Sequence, residues 1–231
     1  MPLAIITGSS RGLGLALARA LAERGWALVI DARTTHELER AARELGTITE
    51  VVALPGDVVD HWHRGALIDA AGDQIDLLVN NASLLGPSPQ PPLAGYPLDM
   101  LERVYQANVL APLALTQLAL PRLPDGSAIV NVTSDAAIEP YAGWGGYGSS
   151  KAALDQLSAI LAQEHPALRI YAVDPGDMRT RMHQEAFPGE DISDLPPPED
   201  SVPGLLRLIE GELPSGRYQA RELAVSEALA R

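Results

Sequence analysis

The chain has 231 residues, 46% of them hydrophobic, and a formal net charge of −13. The length and apolar content suit one α/β domain with a sizeable core and exclude a disordered or collagen-like chain. The lack of cysteine excludes disulfides, thiolate nucleophiles and Cys-ligated zinc, and the acidic average argues against nucleic acid as a partner.

The opening MPLAIITGSSRGLG has no basic segment ahead of a long apolar one, so it reads as a strand over residues 3–7 and a turn rather than a signal peptide. No stretch reaches the ~18 apolar residues of a membrane span, and a cytoplasmic protein without a membrane partner is expected. A helix over 13–24 follows the turn. Strands are predicted over 27–31, 49–54, 75–79, 128–133 and 169–173. Between them lie helices over 35–45, 60–71, 98–123 (with Pro112 as a candidate break) and 147–163. Near-continuous apolar strands indicate a parallel sheet covered on both faces. The βαβα alternation predicts a Rossmann-like doubly wound parallel sheet flanked by helices, in a single domain over 1–231. Proline-rich stretches at 86–97 and 187–203 read as surface loops, and a helix over 202–210 and a strand over 217–219 close the chain.

The first turn reads Thr7-Gly8-Ser9-Ser10-Arg11-Gly12-Leu13-Gly14. Glycines let the backbone approach a pyrophosphate, and the helix that follows offers free N–H groups and a positive dipole end. A glycine turn alone is weak evidence; its place between a strand and a helix strengthens it. With the spacing Thr-Gly-x-x-x-Gly-x-Gly, the sequence resembles the short-chain dehydrogenase/reductase family, in its short single-domain branch. The resemblance implies cofactor contacts from Gly8, Ser10, Arg11, Gly12, Leu13 and Gly14.

Tyr147-Gly-Ser-Ser-Lys151 has the family's Tyr-x-x-x-Lys spacing. Residues i and i+4 share a helix face, with Cβ atoms about 5–6 Å apart. An ammonium there favours phenolate and is expected to lower the Tyr147 pKa, making it a general acid/base. A surface helix pair would look the same, but Lys151 is the only lysine among seventeen basic residues. The resemblance gives Lys151 a second task at the nicotinamide ribose, gives Ser134, thirteen residues before Tyr147, the substrate oxygen, and gives Asn108 a water beside the lysine. Read without the family, Ser134 is a turn former and Asn108 a helix-bending residue. No Gly-x-Ser-x-Gly elbow surrounds Ser134, which argues against a hydrolase.

The second strand ends Asp31-Ala32-Arg33. An acid there ordinarily selects NAD, but in the family's register the selecting position is Ala32, followed by Arg33. Arg11 and Arg33 suit a 2′-phosphate, so NADP(H) is expected over NAD(H) by about a few kcal/mol. By resemblance, Asp57 and Val58 contact adenine; Asp57 is also a plausible helix cap. Asn80 supports the sheet and packs on the adenosine side, with Asn81 and Ala82 beside it. Ser83 stands where the family usually has glycine, and Asp174 where it often has asparagine. The resemblance also implies that Pro175, Gly176 and Thr180, in the family's Pro-Gly-x-x-x-Thr pattern, position the nicotinamide.

The five histidines form no convincing metal set, and His61 and His63 are expected at the surface; no metal is required. Substrate choice is assigned to 84–97, 135–146 and 181–203, the last as a lid. The implied partners are a small carbonyl or alcohol substrate and a second copy of the chain, as homodimer or homotetramer through the long helices. A rival is an NADP-sensing regulatory protein on the same fold, although such proteins often lose the tyrosine or lysine. A sugar-nucleotide epimerase is disfavoured by the short C-terminal part and the glycine spacing.

Overall fold

In the computed structural model, which describes residues 1–228, strands and helices alternate from the start. The order is β1 (Leu3–Ile6), α1 (Gly12–Ala22), β2 (Ala27–Ala32), α2 (Thr35–Leu45), β3 (Val51–Pro55), α3 (His61–Ala71) and β4 (Leu77–Asn80). Next come α4 (Leu98–Tyr105), α5 (Ala111–Ala119), β5 (Ala128–Val132), α6 (Gly145–Glu164) and β6 (Arg169–Asp174). The described residues close with α7 (Arg181–Ala186), α8 (Val202–Glu210), β7 (Gly216–Gln219) and α9 (Ala220–Ala228). The strands form one sheet in the order β3-β2-β1-β4-β5-β6-β7, with every neighbouring pair parallel. This is the doubly wound Rossmann-like fold expected.

Register explains the two cores. Ile6 pairs with Ile30 and Val79, Val79 with Val130, and Val130 with Tyr171. That row faces Leu17 and Leu21 of α1 and Leu205 and Leu208 of α8. The alternate row, Ile5, Val29, Leu78, Ile129 and Ile170, faces Leu67 of α3, Leu115 of α5 and Leu161 of α6. Successive side chains of a strand point to opposite faces, so continuous apolar strands are needed to fill both layers. Each fully buried aliphatic side chain contributes roughly 1.5–3 kcal/mol.

The helix expected over 98–123 does not break at Pro112. The break is a π turn at Gln106–Leu110, where the Ala111 N–H reaches back to Gln106 O. Pro112 lies in the first turn of α5 and has no N–H to offer Asn108 four residues back; the distortion is centred on Asn108 itself. In the segment 181–203, α7 forms ahead of the first proline, Pro188, and a short 3-10 turn at Pro198–Ser201 leads into α8. Among the described residues no helix is long and apolar enough to cross a membrane.

Candidate active site

A cleft of about 1520 Å³ runs along the C-terminal edge of the sheet. It exceeds the roughly 300–1,000 Å³ of an ordinary small-molecule pocket and lies where open α/β sheets bind ligands. Gly8, Ser10, Arg11, Gly12, Leu13, Arg33, Asp57, Val58, Asn81, Ala82, Ser134, Tyr147, Lys151, Pro175, Gly176 and Thr180 all line it.

At one end the glycine turn is locked from below. Gly8 (φ 69°) and Gly12 (φ 57°) adopt left-handed backbone, which side chains resist. A Cβ on Gly14 would lie 2.6 Å from Gly8 O, so the third glycine lets α1 close on the turn without lining the cleft. Asp31, 1% exposed, accepts the Gly8 N–H at 2.7 Å on Oδ1, and its carbonyl accepts the Ser9 N–H at 2.9 Å. The Asn81 amide donates to Thr7 O at 2.8 Å and Gly8 O at 3.2 Å. Thr7 Oγ1 accepts the N–H groups of Asn81 and Ala82, both at 3.0 Å. Asp31 is therefore an anchor of the turn.

Several expectations change here. His63 is not at the surface: Nε2 lies 2.9 Å from Asp31 Oδ2, with the side chain 9% exposed, because the buried carboxylate needs a second partner. Asp57 does not cap α3; Asp60 does, accepting the Trp62 N–H, while Asp57 accepts the Val59 N–H. Asn80 lies in the sheet and does not line the cleft. Its amide donates to Asn131 Oδ1 at 2.8 Å, and Asn131 in turn donates to Ser158 Oγ at 2.8 Å. Buried polar groups demand partners, so its expected role narrows to sheet support. Arg11 is engaged by Glu37, at 3.0 Å, whereas Arg33 is exposed at the cleft mouth.

At the other end, Tyr147 and Lys151 are both buried on α6, 8% and 2% exposed. Lys151 Nζ donates to Val132 O at 2.8 Å and lies 5.4 Å from the Tyr147 ring centroid. Burial pulls the Lys151 pKa down to about 8, against a smaller opposing pull from Asp155. The expected lowering of Tyr147 is overturned: burial raises its pKa, Asp174 and Asp135 raise it further, and the Ser83 hydroxyl counters in part. Desolvation penalises phenolate, and Lys151 is directed at Val132 instead.

Ser134 caps a 3-10 turn at Asp135–Ala137, and its hydroxyl donates to Asp135 Oδ1 at 2.8 Å. A Cβ on Gly148 would lie 2.5 Å from Ala136 O; this glycine lets α6 press on that turn, and Tyr147 and Ser134 both face the cleft. Asn108, fully buried, is saturated. Its Oδ1 accepts from Leu84 N at 2.7 Å and Ser83 Oγ at 3.1 Å, and Nδ2 donates to Leu84 O at 2.9 Å and Ser150 Oγ at 3.0 Å. Its side chain has no capacity left for a water and serves to position Ser83 and Leu84; a water beside the lysine would meet the Asn108 main-chain carbonyl, to which Pro112 offers no N–H. Thr180 caps α7 by accepting the His183 N–H at 3.2 Å.

Sequence reasoning missed three contributors. Asp135 holds both Ser134 and, through Oδ2, the Tyr141 hydroxyl at 3.0 Å. Ser83, in the sequence only a departure from glycine, touches Asn108. Arg217 on β7 donates to Ser134 O and Asp155, both at 3.0 Å. The hydroxyl replacing glycine was the one available signal for Ser83; Arg217 had none.

The profile described as short chain dehydrogenase matches residues 2–191. The chain is 31% identical to sepiapterin reductase of Bos taurus over 238 residues, covering 96% of this chain and 87% of the relative. It is 33% identical to benzil reductase ((S)-benzoin forming) of Saccharomyces cerevisiae over 193 residues, covering 78% and 73%. A solved short chain dehydrogenase from Escherichia coli CFT073, complexed with NADPH, superposes with a TM-score of 0.84 at 28% identity, covering 95% of this chain and 96% of that one. The chain belongs to the short-chain dehydrogenase/reductase family and is an oxidoreductase of that family.

Proposed function

We propose that this oxidoreductase reduces a carbonyl, or oxidises the matching alcohol, with NADP(H) as cofactor and Tyr147 as general acid/base. The observation that carries it is the burial of Tyr147 and Lys151 together beside Ser134 in a cleft that begins at the glycine turn. The names of the bovine and yeast relatives both denote reduction.

The residues present fit the cofactor. The glycine turn suits a pyrophosphate, Ala32 puts no carboxylate at the ribose position, and Arg33 faces the cleft mouth. A 2′-phosphate would meet Arg33 first and compete with Glu37 for Arg11. NADPH, when bound, supplies a hydride. The chain then has two tasks at the substrate oxygen. Tyr147, whose raised pKa keeps it protonated near neutrality, delivers the proton. Ser134 turns its hydroxyl from Asp135 to the same oxygen and orients it. Lys151 is largely an ammonium at pH 7 and stabilises the phenolate as it forms. Ser83 and Asn108 hold the wall behind Tyr147.

Segment 181–203 would act as the lid within a single catalytic domain over 1–231. A homodimer or homotetramer through α4–α6 is supported by exposed Leu98, Leu110, Leu118 and Ile160.

The test is a screen of aldehydes, ketones and quinones following NADPH absorbance, with Lys151→Ala as control and NADH as comparison. Turnover lost in Lys151→Ala is expected, with NADPH favoured by about tenfold or more. Comparable efficiency with NADH contradicts the cofactor reading. The double variant Ala32→Asp, Arg33→Ala should move preference toward NADH. NADPH binding with no turnover, unchanged in Tyr147→Phe, would instead favour a sensor.

A further inference from the structure

The acid–base chemistry leaves the wall above Tyr147 unexplained. Trp144, at the entry to α6, meets the Tyr147 ring edge-on, with centroids 5.9 Å apart and planes at 72°. It also meets Phe187, with centroids 5.8 Å apart, and Phe187 meets His183 at 4.8 Å. Leu85, Met182 and Ala186 pack into the same cluster.

This concentration is unusual for the chain. Aromatics make up 4% of it, with one Phe and three Trp, and both sheet cores are almost wholly aliphatic. The single Phe is spent here, against a Trp, at the substrate end of the cleft. Three separate segments build the wall: 84–97 supplies Leu85, 135–146 supplies Trp144, and 181–203 supplies Met182 and Phe187. Ser88 Oγ donates to Glu185 O at 2.6 Å, joining the first segment to the third. The carboxylates around this wall already have partners: Asp135 has both oxygens engaged, by Ser134, Ala136 and Tyr141, Asp177 lies 3.7 Å from His183 Nδ1, and Glu185 pairs with Arg181.

Ring pairs gain attraction beyond the area they bury, in edge or offset arrangements with centroids about 4.5–7 Å apart. A flat ring entering between Trp144 and Phe187 exchanges one ring contact for two. A saturated chain of equal size loses the ring contact and regains only dispersion.

We propose that the substrate carries an uncharged aromatic ring next to its reacting carbonyl, and that Trp144 and Phe187 are specificity-determining residues for it. The proposal rests on the carbonyl-reduction reading. Acetophenone and cyclohexyl methyl ketone, similar in size but differing in ring planarity, form the probe pair, with propanal as a small reference. Wild-type kcat/KM should favour acetophenone by about tenfold or more. Trp144→Ala and Phe187→Ala should each lower acetophenone efficiency by about tenfold and the cyclohexyl ketone by less than about threefold, and Trp144→Phe should keep the preference. The absence of a wild-type preference, or equal losses on both ketones in the alanine variants, overturns it and marks the cluster as a packed wall. If propanal is reduced in a Tyr147-dependent way while acetophenone is not preferred, only this proposal falls. If no carbonyl is reduced at all, the underlying reading falls with it.

Discussion

The glycine turn and the Trp144 wall face one cleft, yet they are held by different forces. The turn is fixed by main-chain groups: Gly8 N–H on Asp31, Ser9 N–H on Asp31 O, and Thr7 and Gly8 carbonyls on the Asn81 amide. The wall is fixed by ring contacts among side chains from three connecting segments. Directional bonds to the backbone dictate residue type at each position, whereas ring packing accepts any shape that fills the space. A scaffold divided in this way keeps one ligand constant and leaves the other free to vary.

The largest expected effect separates the two ends by chemistry. Tyr147→Phe should lower kcat by about 10²–10⁴-fold and leave the NADPH dissociation constant, read by fluorescence titration, nearly unchanged. A matching loss of cofactor affinity would break the division.

Lys151 tests it through stability. Its folded pKa of about 8 lies below the ordinary 10.5. Between those values the unfolded chain binds a proton that the folded chain does not, so stability rises with pH across that window, by about 3 kcal/mol in all. Tyr147 acts in the opposite sense above pH 10, where the unfolded phenol ionises first. Urea midpoints at pH 7 and pH 9.5 should show the rise in the wild type and little of it in Lys151→Met.

Asp31→Ala probes the cofactor end. Losing a buried carboxylate that accepts a main-chain N–H should cost about 2–3 kcal/mol and raise the KM for NADPH. At saturating cofactor kcat should hold, because Asp31 lies outside the Tyr147 neighbourhood; a fall there would join the two ends. The smallest effect is expected of Ser83→Ala. Without its hydroxyl the Tyr147 pKa rises further, so the alkaline rise in alcohol oxidation should move to higher pH, with a change of about threefold or less in kcat at neutral pH.

The sheet was legible because buried parallel strands are apolar on both faces, as at residues 27–30, and so stand out without any alternation. Tyr147 and Lys151 were legible because helical spacing fixes which side chains meet. What escaped were polar contacts between distant positions. His63 finds Asp31 across 32 residues, and Arg217 finds Ser134 across 83; neither pairing leaves a period in the sequence. The Tyr147 pKa was misjudged for a related reason. Spacing brought the ammonium near, but the degree of burial, and Lys151's preference for the Val132 carbonyl, arise only once α6 docks on β5. The π turn escaped because one wider loop in the hydrogen-bond ladder barely disturbs the apolar pattern on either side of it.

That turn makes the count of residues between α4 and α5 a structural quantity. Each residue in an α-helix advances the chain by about 100°, and an i→i−5 turn takes in one residue more than an α turn. The extra residue is absorbed at 106–110, so Val104 before it and Leu115 after it both stay buried. Removing one residue from 106–110 would close the turn into plain helix and leave α5 on the sheet, while Asn108 would lose its hold on Ser83 and Ser150. Removing one inside α5, ahead of Leu115, would instead swing the rest of that helix by the full angle. The long helix thus keeps its slack at one point, and that point is where the active site is braced.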